Sequence, residues 1–297
     1  MSTFGRVGTA MVTPFTPDGG LDLDGAQRLA THLVDHGTDM VVVHGTTGES
    51  PTLQDAEMWD LLRAVVDAVG DRAHVMMGTG SNDTRKAVWS TEKATEAGAD
   101  SMLVVSPYYN KPTQRGLLSH FRRVAEATDK PVMLYDVPGR TSREIALETI
   151  VELAQVDNIA GIKDAAGDPA KTSEIVGRTA GAPGGFDVLS GSDEYNLPIL
   201  AVGGTGVISV AAHLAGDQIA EMVRLVDTDL PKARQIHNDL LPLVRALFSE
   251  ASPGPVKGAL NRLGLPAGPV RGPLVDALPS TVDAVFAALD HAGITHS

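Results

Sequence analysis

The chain has 297 residues, 43% hydrophobic and 21% charged, with a formal net charge of −13 and no cysteine. Such a composition can bury a large core, and it excludes disulfides, thiol catalysis and cysteine-ligated metal centres. The acidic balance argues against nucleic-acid binding, which needs a basic stripe.

From the N-terminus, MSTFGRVGTAMVTPF lacks the charged start, apolar stretch and small-residue cleavage site of a signal peptide. No later run approaches the roughly 18 apolar residues of a membrane span, so the expected compartment is the cytosol, with no membrane partner. Eight β-rich runs then follow in order: VGTAMVTP, DMVVVHG, HVMMG, SMLVVSP, PVMLYDVP, IAGIKDA, FDVLSG and GVISV. Between them lie helical patterns such as LDGAQRLATHLVDHG and DTRKAVWSTEKATEAGA, with apolar residues at three-to-four spacing. Two stretches share one plan. HLVDHGTDMVVV and EKATEAGADSMLVV each run helix, glycine stop, aspartate, strand, as a left-handed glycine cap feeding a parallel strand would read.

Eight strands, each followed by a helix, predict an α/β fold, the (β/α)8 or TIM barrel, over residues 1–229. An open doubly wound sheet is the alternative, but no GxGxxG follows the first strand. From Leu230 the strand signal stops. PKARQIHNDLLPLVRALFSE, PVKGALNRLG and STVDAVFAALDHAG predict a C-terminal helical extension over 230–297.

A barrel of this class builds its site where the strands end. The strand-terminal segments are HGTTGES, SPYYNKP, YDVPGRT and KDAAGD, which bring Thr46, Thr47, Tyr135, Arg140 and Lys163 toward one face. Lys163 closes an apolar strand run, where lysine is disfavoured. An inward-facing amine there would be desolvated, its pKa would fall, and Schiff-base chemistry with a carbonyl substrate would open. A stem that packs while the head pairs with Asp164 or another acid accounts for the same position. GTTGES at 45–50 offers hydroxyls and amides suited to a carboxylate, or is a plain turn; it is no P-loop. GGTG at 203–206 precedes the eighth strand, on the wrong face for a site, and reads as a tight turn. The nine histidines form no HExxH metal-ligand motif, so no metal is expected. The adjacent Tyr108 and Tyr109 point different ways, so one can face a site while the other serves an interface.

With GTTGES, PYYN, YDVPGR and IKDA in that order, the chain closely resembles the dihydrodipicolinate synthase (4-hydroxy-tetrahydrodipicolinate synthase) family, from GRVGTAMVTPF at 5–15 to SPGPVKGALNRLGL at 252–265. The resemblance implies that Lys163 forms an imine with pyruvate, with Tyr135 as the adjacent acid/base. It implies that Thr46 links Tyr135 to Tyr109, the latter reaching in from a neighbouring subunit of a homotetramer built as a dimer of dimers. Thr47 would hold the pyruvate carboxylate, Arg140 the carboxylate of L-aspartate 4-semialdehyde, and the backbone at Gly191 and Ile208 would line the pyruvate end. No organic cofactor is implied. Two departures stand out: His44, where the family carries a small or neutral residue, and Gly-Ser-Asp at 191–193. Another pyruvate-imine aldolase or lyase, acting on 2-keto-3-deoxy-sugars or sialic acid, is the alternative within enzymes. A non-catalytic ligand-binding paralogue is the alternative outside them.

Overall fold

The computed structural model describes residues 2–296. Eight parallel strands follow one another in chain order round a closed barrel. They are β1 (Val7–Ala10), β2 (Met40–Val43), β3 (His74–Gly78), β4 (Ser101–Val105), β5 (Val132–Asp136), β6 (Ile159–Asp164), β7 (Asp187–Ser190) and β8 (Gly206–Ser209). The helices in chain order are α1 (Leu23–Asp35), α2 (Asp55–Val69), α3 (Thr84–Glu96), α4 (Gln114–Ala125), α5 (Pro138–Thr141) and α6 (Leu147–Leu153). They continue with α7 (Pro169–Thr179), α8 (Asn196–Ala201), α9 (Ala212–Leu225), α10 (Leu230–Leu247), α11 (Gly254–Arg262) and α12 (Pro279–His291). The expected (β/α)8 architecture is present, and the last three helices fall on the three segments that read as helical. No described helix is long and apolar enough to cross a membrane.

Apart from His74 and Val105, every strand residue is buried. Strands covered on both faces must be apolar on both, which is why they read as runs rather than alternations. The first run is shorter as a strand than its sequence suggests. The β1 ladder ends at Ala10, while Met11–Pro14 stay buried as extended chain, with the Met11 N–H on the Val42 carbonyl at 3.1 Å.

The two look-alike stretches use one device. Gly37 and Gly98 take left-handed φ of +89° and +92° and end their helices. Two residues later Asp39 and Asp100 each make a pair of bonds to a strand. Their N–H groups donate to the Val7 and Val75 carbonyls at 3.0 and 2.9 Å, and their carboxylates accept the N–H of those same valines at 2.8 Å each. The aspartate therefore fixes where each new strand pairs.

The chain contacts group into two units. One joins the residues up to Arg6 with His74–Ile208; α3, α4, α6 and α7 pack in sequence within it. The other joins Val7–Ala73 with the chain from Ser209 on; there α1 packs on α2, and α10 on α9 and α12. In the first unit the register sets Tyr135 beside Lys163, Asp136 beside Asp164, and Ser190 beside Val207.

Candidate active site

Within the first unit, Lys163 and Asp164 are consecutive residues of β6 and so face opposite sides of the sheet. The Asp164 carboxylate accepts from the Ala166 N–H at 2.9 Å and from the Thr172 hydroxyl of α7 at 2.6 Å. It therefore looks toward the helices, and Lys163 looks inward. The carboxylate beside it in sequence is occupied on the other face, which removes Asp164 as a partner for the lysine head.

Lys163 is only 5% exposed, and its Nζ lies 4.5 Å from the centroid of the Tyr135 ring on the neighbouring strand. Burial pulls its pKa down from 10.5 to about 8; the Asp193 carboxylate pulls the other way and the Arg140 guanidinium adds to the depression. Asp193 is itself buried, in a short 3₁₀ turn after β7, and accepts from the Asn196 amide at 3.0 Å. At pH 7 about one such amine in ten is neutral, against roughly one in three thousand at the ordinary value. That makes Lys163 a usable nucleophile.

Gly191 makes room for it. Its N–H donates to the Asp164 carbonyl at 2.7 Å, and a Cβ there would stand 2.8 Å from Lys163 Cγ and 3.0 Å from both Lys163 Cε and Ala165 Cβ. The two lysine atoms belong to the stem that carries the amine, which cannot yield without moving it. Gly191→Ala should therefore slow imine formation with a carbonyl substrate by about tenfold or more while leaving a folded protein. Borohydride trapping timed against wild type checks it, and equal rates would show that the stem tolerates the methyl. The pairing of Ser190 with Val207 puts buried Ile208 level with Gly191, one residue further along each strand.

Arg140 sits in α5, on the loop after β5, and is exposed. Tyr109 is a different case. It is 89% exposed and takes a φ of +73°, as the central residue of a γ-turn closed by the Asn110 N–H on the Tyr108 carbonyl at 2.9 Å. This turn is strained for a non-glycine residue, and it holds the phenol out in solvent. Lys163, Tyr135, Asp193, Gly191 and Ile208 thus come together, with Arg140 within electrostatic reach, while Tyr109 projects away.

Thr46 and Thr47 belong to the second unit. They lie in the turn after β2, entered through His44 at φ +57° and left through Glu49 at φ +55°. Thr46 is half-buried and Thr47 buried; the Glu49 N–H donates to the Thr46 carbonyl at 3.1 Å, and the Thr13 hydroxyl to the Gly48 carbonyl at 2.6 Å. His44, the departure from the family pattern, takes the left-handed conformation that turns the chain out of the strand.

Beneath this turn lies an ion pair that the sequence reading passed over. Glu49 and Lys257 of α11 are both buried and meet at 2.9 Å. Lys257 also donates to the carbonyls of Thr13 (2.9 Å) and Pro269 (2.6 Å), and lies 4.3 Å from the centre of the Phe15 ring. The second Glu49 oxygen accepts the Arg271 N–H at 2.7 Å. Burial lowers the Lys257 pKa, and Glu49 offsets part of that. Asp136 and Lys171 were passed over as well, and Asp193 was noted only as part of Gly-Ser-Asp at 191–193.

Among the described residues no group of three or more histidines and acids could hold a metal.

Residues 3–292 match the model of the dihydrodipicolinate synthetase family. The chain is 51% identical over 293 residues to a 4-hydroxy-tetrahydrodipicolinate synthase of Acidothermus cellulolyticus, covering 98% of this chain and 94% of that one. It is similar to the crystal structure of a dihydrodipicolinate synthase from Bacillus anthracis, with a TM-score of 0.93, 43% identity and coverage of 98% and 99%. It is also similar to that of a chloride-inhibited dihydrodipicolinate synthase from Acinetobacter baumannii complexed with pyruvate, with a TM-score of 0.94, 37% identity and coverage of 99% and 100%.

Proposed function

The chain belongs to the dihydrodipicolinate synthetase family, a family of pyruvate-dependent lyases, and from that premise we propose that it condenses pyruvate with L-aspartate 4-semialdehyde through an imine on Lys163. One observation carries the reading: a lysine buried at the end of a barrel strand against a tyrosine, its pKa pulled down to about 8. The neutral amine attacks the pyruvate carbonyl and water leaves. The imine acidifies the pyruvate methyl, and loss of a proton gives an enamine. The enamine carbon attacks the semialdehyde aldehyde, forming the new carbon–carbon bond. The amine of that substrate then attacks the imine carbon, displaces Lys163 and closes the ring. Tyr135, against the lysine, is the group we assign to move these protons. Thr46, Thr47 and Tyr109 keep the parts that the resemblance gives them, with Gly191 and Ile208 at the pyruvate end. Residues 1–229 carry the reaction in this reading and 230–297 form its helical extension, in a cytosolic enzyme. The coupled assay with pyruvate and aspartate semialdehyde tests it. Turnover only with sugar-derived keto acids would overturn it.

Arg140 is the residue we assign to the semialdehyde carboxylate. A charge-assisted contact of that kind contributes roughly 2–4 kcal/mol, or about two to three decades. Arg140→Ala should therefore cost that much in kcat/KM for the semialdehyde while pyruvate trapping continues near the wild-type rate. Equal damage to both half-reactions would make Arg140 structural.

The assembly we propose is a homotetramer, a dimer of dimers. Its support is Tyr109, held out in a strained turn with nothing in its own chain to cover it. Sedimentation should give four chains, and Tyr109→Ala should lower turnover in the intact assembly. A fully active monomer would contradict both.

A further inference from the structure

Asp136 ends β5, one residue past Tyr135, and its side chain is 1% exposed. The chain leaves it through Val137 into α5, where the N–H groups of Arg140 and Thr141 both donate to the Val137 carbonyl at 2.9 and 3.1 Å. Ser142 turns back at φ +57°, and the Thr141 hydroxyl donates to the Arg143 carbonyl at 2.8 Å. The loop then comes home: the Ile145 N–H donates to Asp136 Oδ1 at 3.2 Å. Arg140 is thus carried on a loop that starts and finishes at one carboxylate. Across its base lies Lys171 of α7, 11% exposed, whose Nζ donates to Asp136 Oδ2 (3.1 Å), Glu144 Oε1 (2.6 Å) and the Ile145 carbonyl (2.8 Å). Three donors meet three acceptors, and all three acceptors belong to the loop's two ends. Gln114 supports the far side: its amide donates to the Glu144 carbonyl at 2.8 Å, and its oxygen accepts from the Ala146 N–H and the Thr149 hydroxyl.

We propose that Lys171 is a positioning residue for the second substrate, closing the base of the 137–145 loop so that Arg140 stands where the semialdehyde carboxylate arrives. This rests on the function proposed above for Arg140. Lys171 touches no reacting atom; it works through the loop. A displacement of about 1 Å in a binding group can cost up to two decades. With Gln114 still holding one side, the expected loss is smaller.

Protonation of Asp136 would open the same base. Burial raises its pKa from 3.8 to about 6; Lys171 opposes that rise, and Asp164 across the register adds to it. The titratable groups facing it are Lys171, Glu144 through that lysine, and Asp164. Above about pH 6 the carboxylate is ionised and accepts from the ammonium; below it the attraction goes.

The test uses the full-length protein and three variants, Lys171→Met, Lys171→Arg and Asp136→Asn. For each, KM and kcat for both substrates, the rate of borohydride trapping with pyruvate, and amide exchange over 137–146 are measured. Lys171→Met should raise the semialdehyde KM about tenfold, leave trapping within about twofold and speed exchange at Ile145, with Lys171→Arg restoring most of the loss. The wild-type semialdehyde KM should rise as pH falls through 6, and Asp136→Asn should hold the raised value across that range. An unchanged semialdehyde KM in Lys171→Met, or a parallel fall in trapping, would overturn the proposal. A wild type that traps pyruvate but ignores the semialdehyde would overturn the function instead. Exchange at Ile145 reports on the loop base in either case, and no change there rejects the staple.

Discussion

Lys163→Met should abolish turnover and stabilise the protein at the same time. The loss is expected to be about four orders of magnitude or more in kcat, because removal of a covalent nucleophile leaves only binding and orientation. The gain follows from linkage. A lysine whose folded pKa is depressed binds its proton less well in the folded state than in the unfolded one. Stability is therefore lowered while pH stays below about 8, and is recovered as pH rises from there toward 10.5. At pH 7 the penalty is about 3 kcal/mol, and a methionine of similar length escapes it. A structural lysine gives the opposite result, since breaking a needed buried contact destabilises. Thermal melts with activity assays separate the two. In the wild type, borohydride with pyruvate should add one lactyl-sized mass to the peptide holding Lys163, at a rate that climbs with pH and levels off above about 8. Modification of another lysine, or a melting temperature that falls in Lys163→Met, would remove the mechanism.

The parts of this molecule that were legible in its sequence are those whose cause is local. A glycine that must be left-handed, then an aspartate that bonds the next ladder, recurs at Gly37–Asp39 and Gly98–Asp100 because every new strand needs the same start. The eight strands show as apolar runs because both faces are covered. Lys163 showed because a lysine contradicts such a run. Glu49 and Lys257 are 208 positions apart, each inside an unremarkable pattern, a polar turn and an amphipathic helix. Only closure of the chain makes them a pair. Asp136 and Lys171 were hidden similarly: an aspartate at a strand end and a lysine in a first helical turn are where ordinary capping and solvation would put them. Asp193 stood inside the Gly-Ser-Asp departure at 191–193 with no role read for it, yet its charge acts on the lysine on which the reaction is proposed to turn.

Lys257→Met is the change expected to cost most in stability. It leaves the Glu49 carboxylate buried with the Arg271 N–H as its remaining partner and strips the Thr13 and Pro269 carbonyls of a donor. An uncompensated buried charge costs about 3–5 kcal/mol. In a chain of this size that lowers the melting temperature by roughly 10 °C. The damage should centre on the turn holding Thr46 and Thr47, because Glu49 ends it. The decisive comparison is with the double variant, Glu49→Gln with Lys257→Met. If the penalty is the orphaned charge, removing both charges should recover a large part of it, since buried ion pairs are often replaceable by neutral packing. A double variant as unstable as the sum of the singles would mean that Lys257 acts through its carbonyl contacts and the Phe15 ring rather than through Glu49. Recovered stability with turnover still impaired would mean that the ion pair also sets the conformation of the threonine turn, and that α11 is part of how the turn after β2 is held.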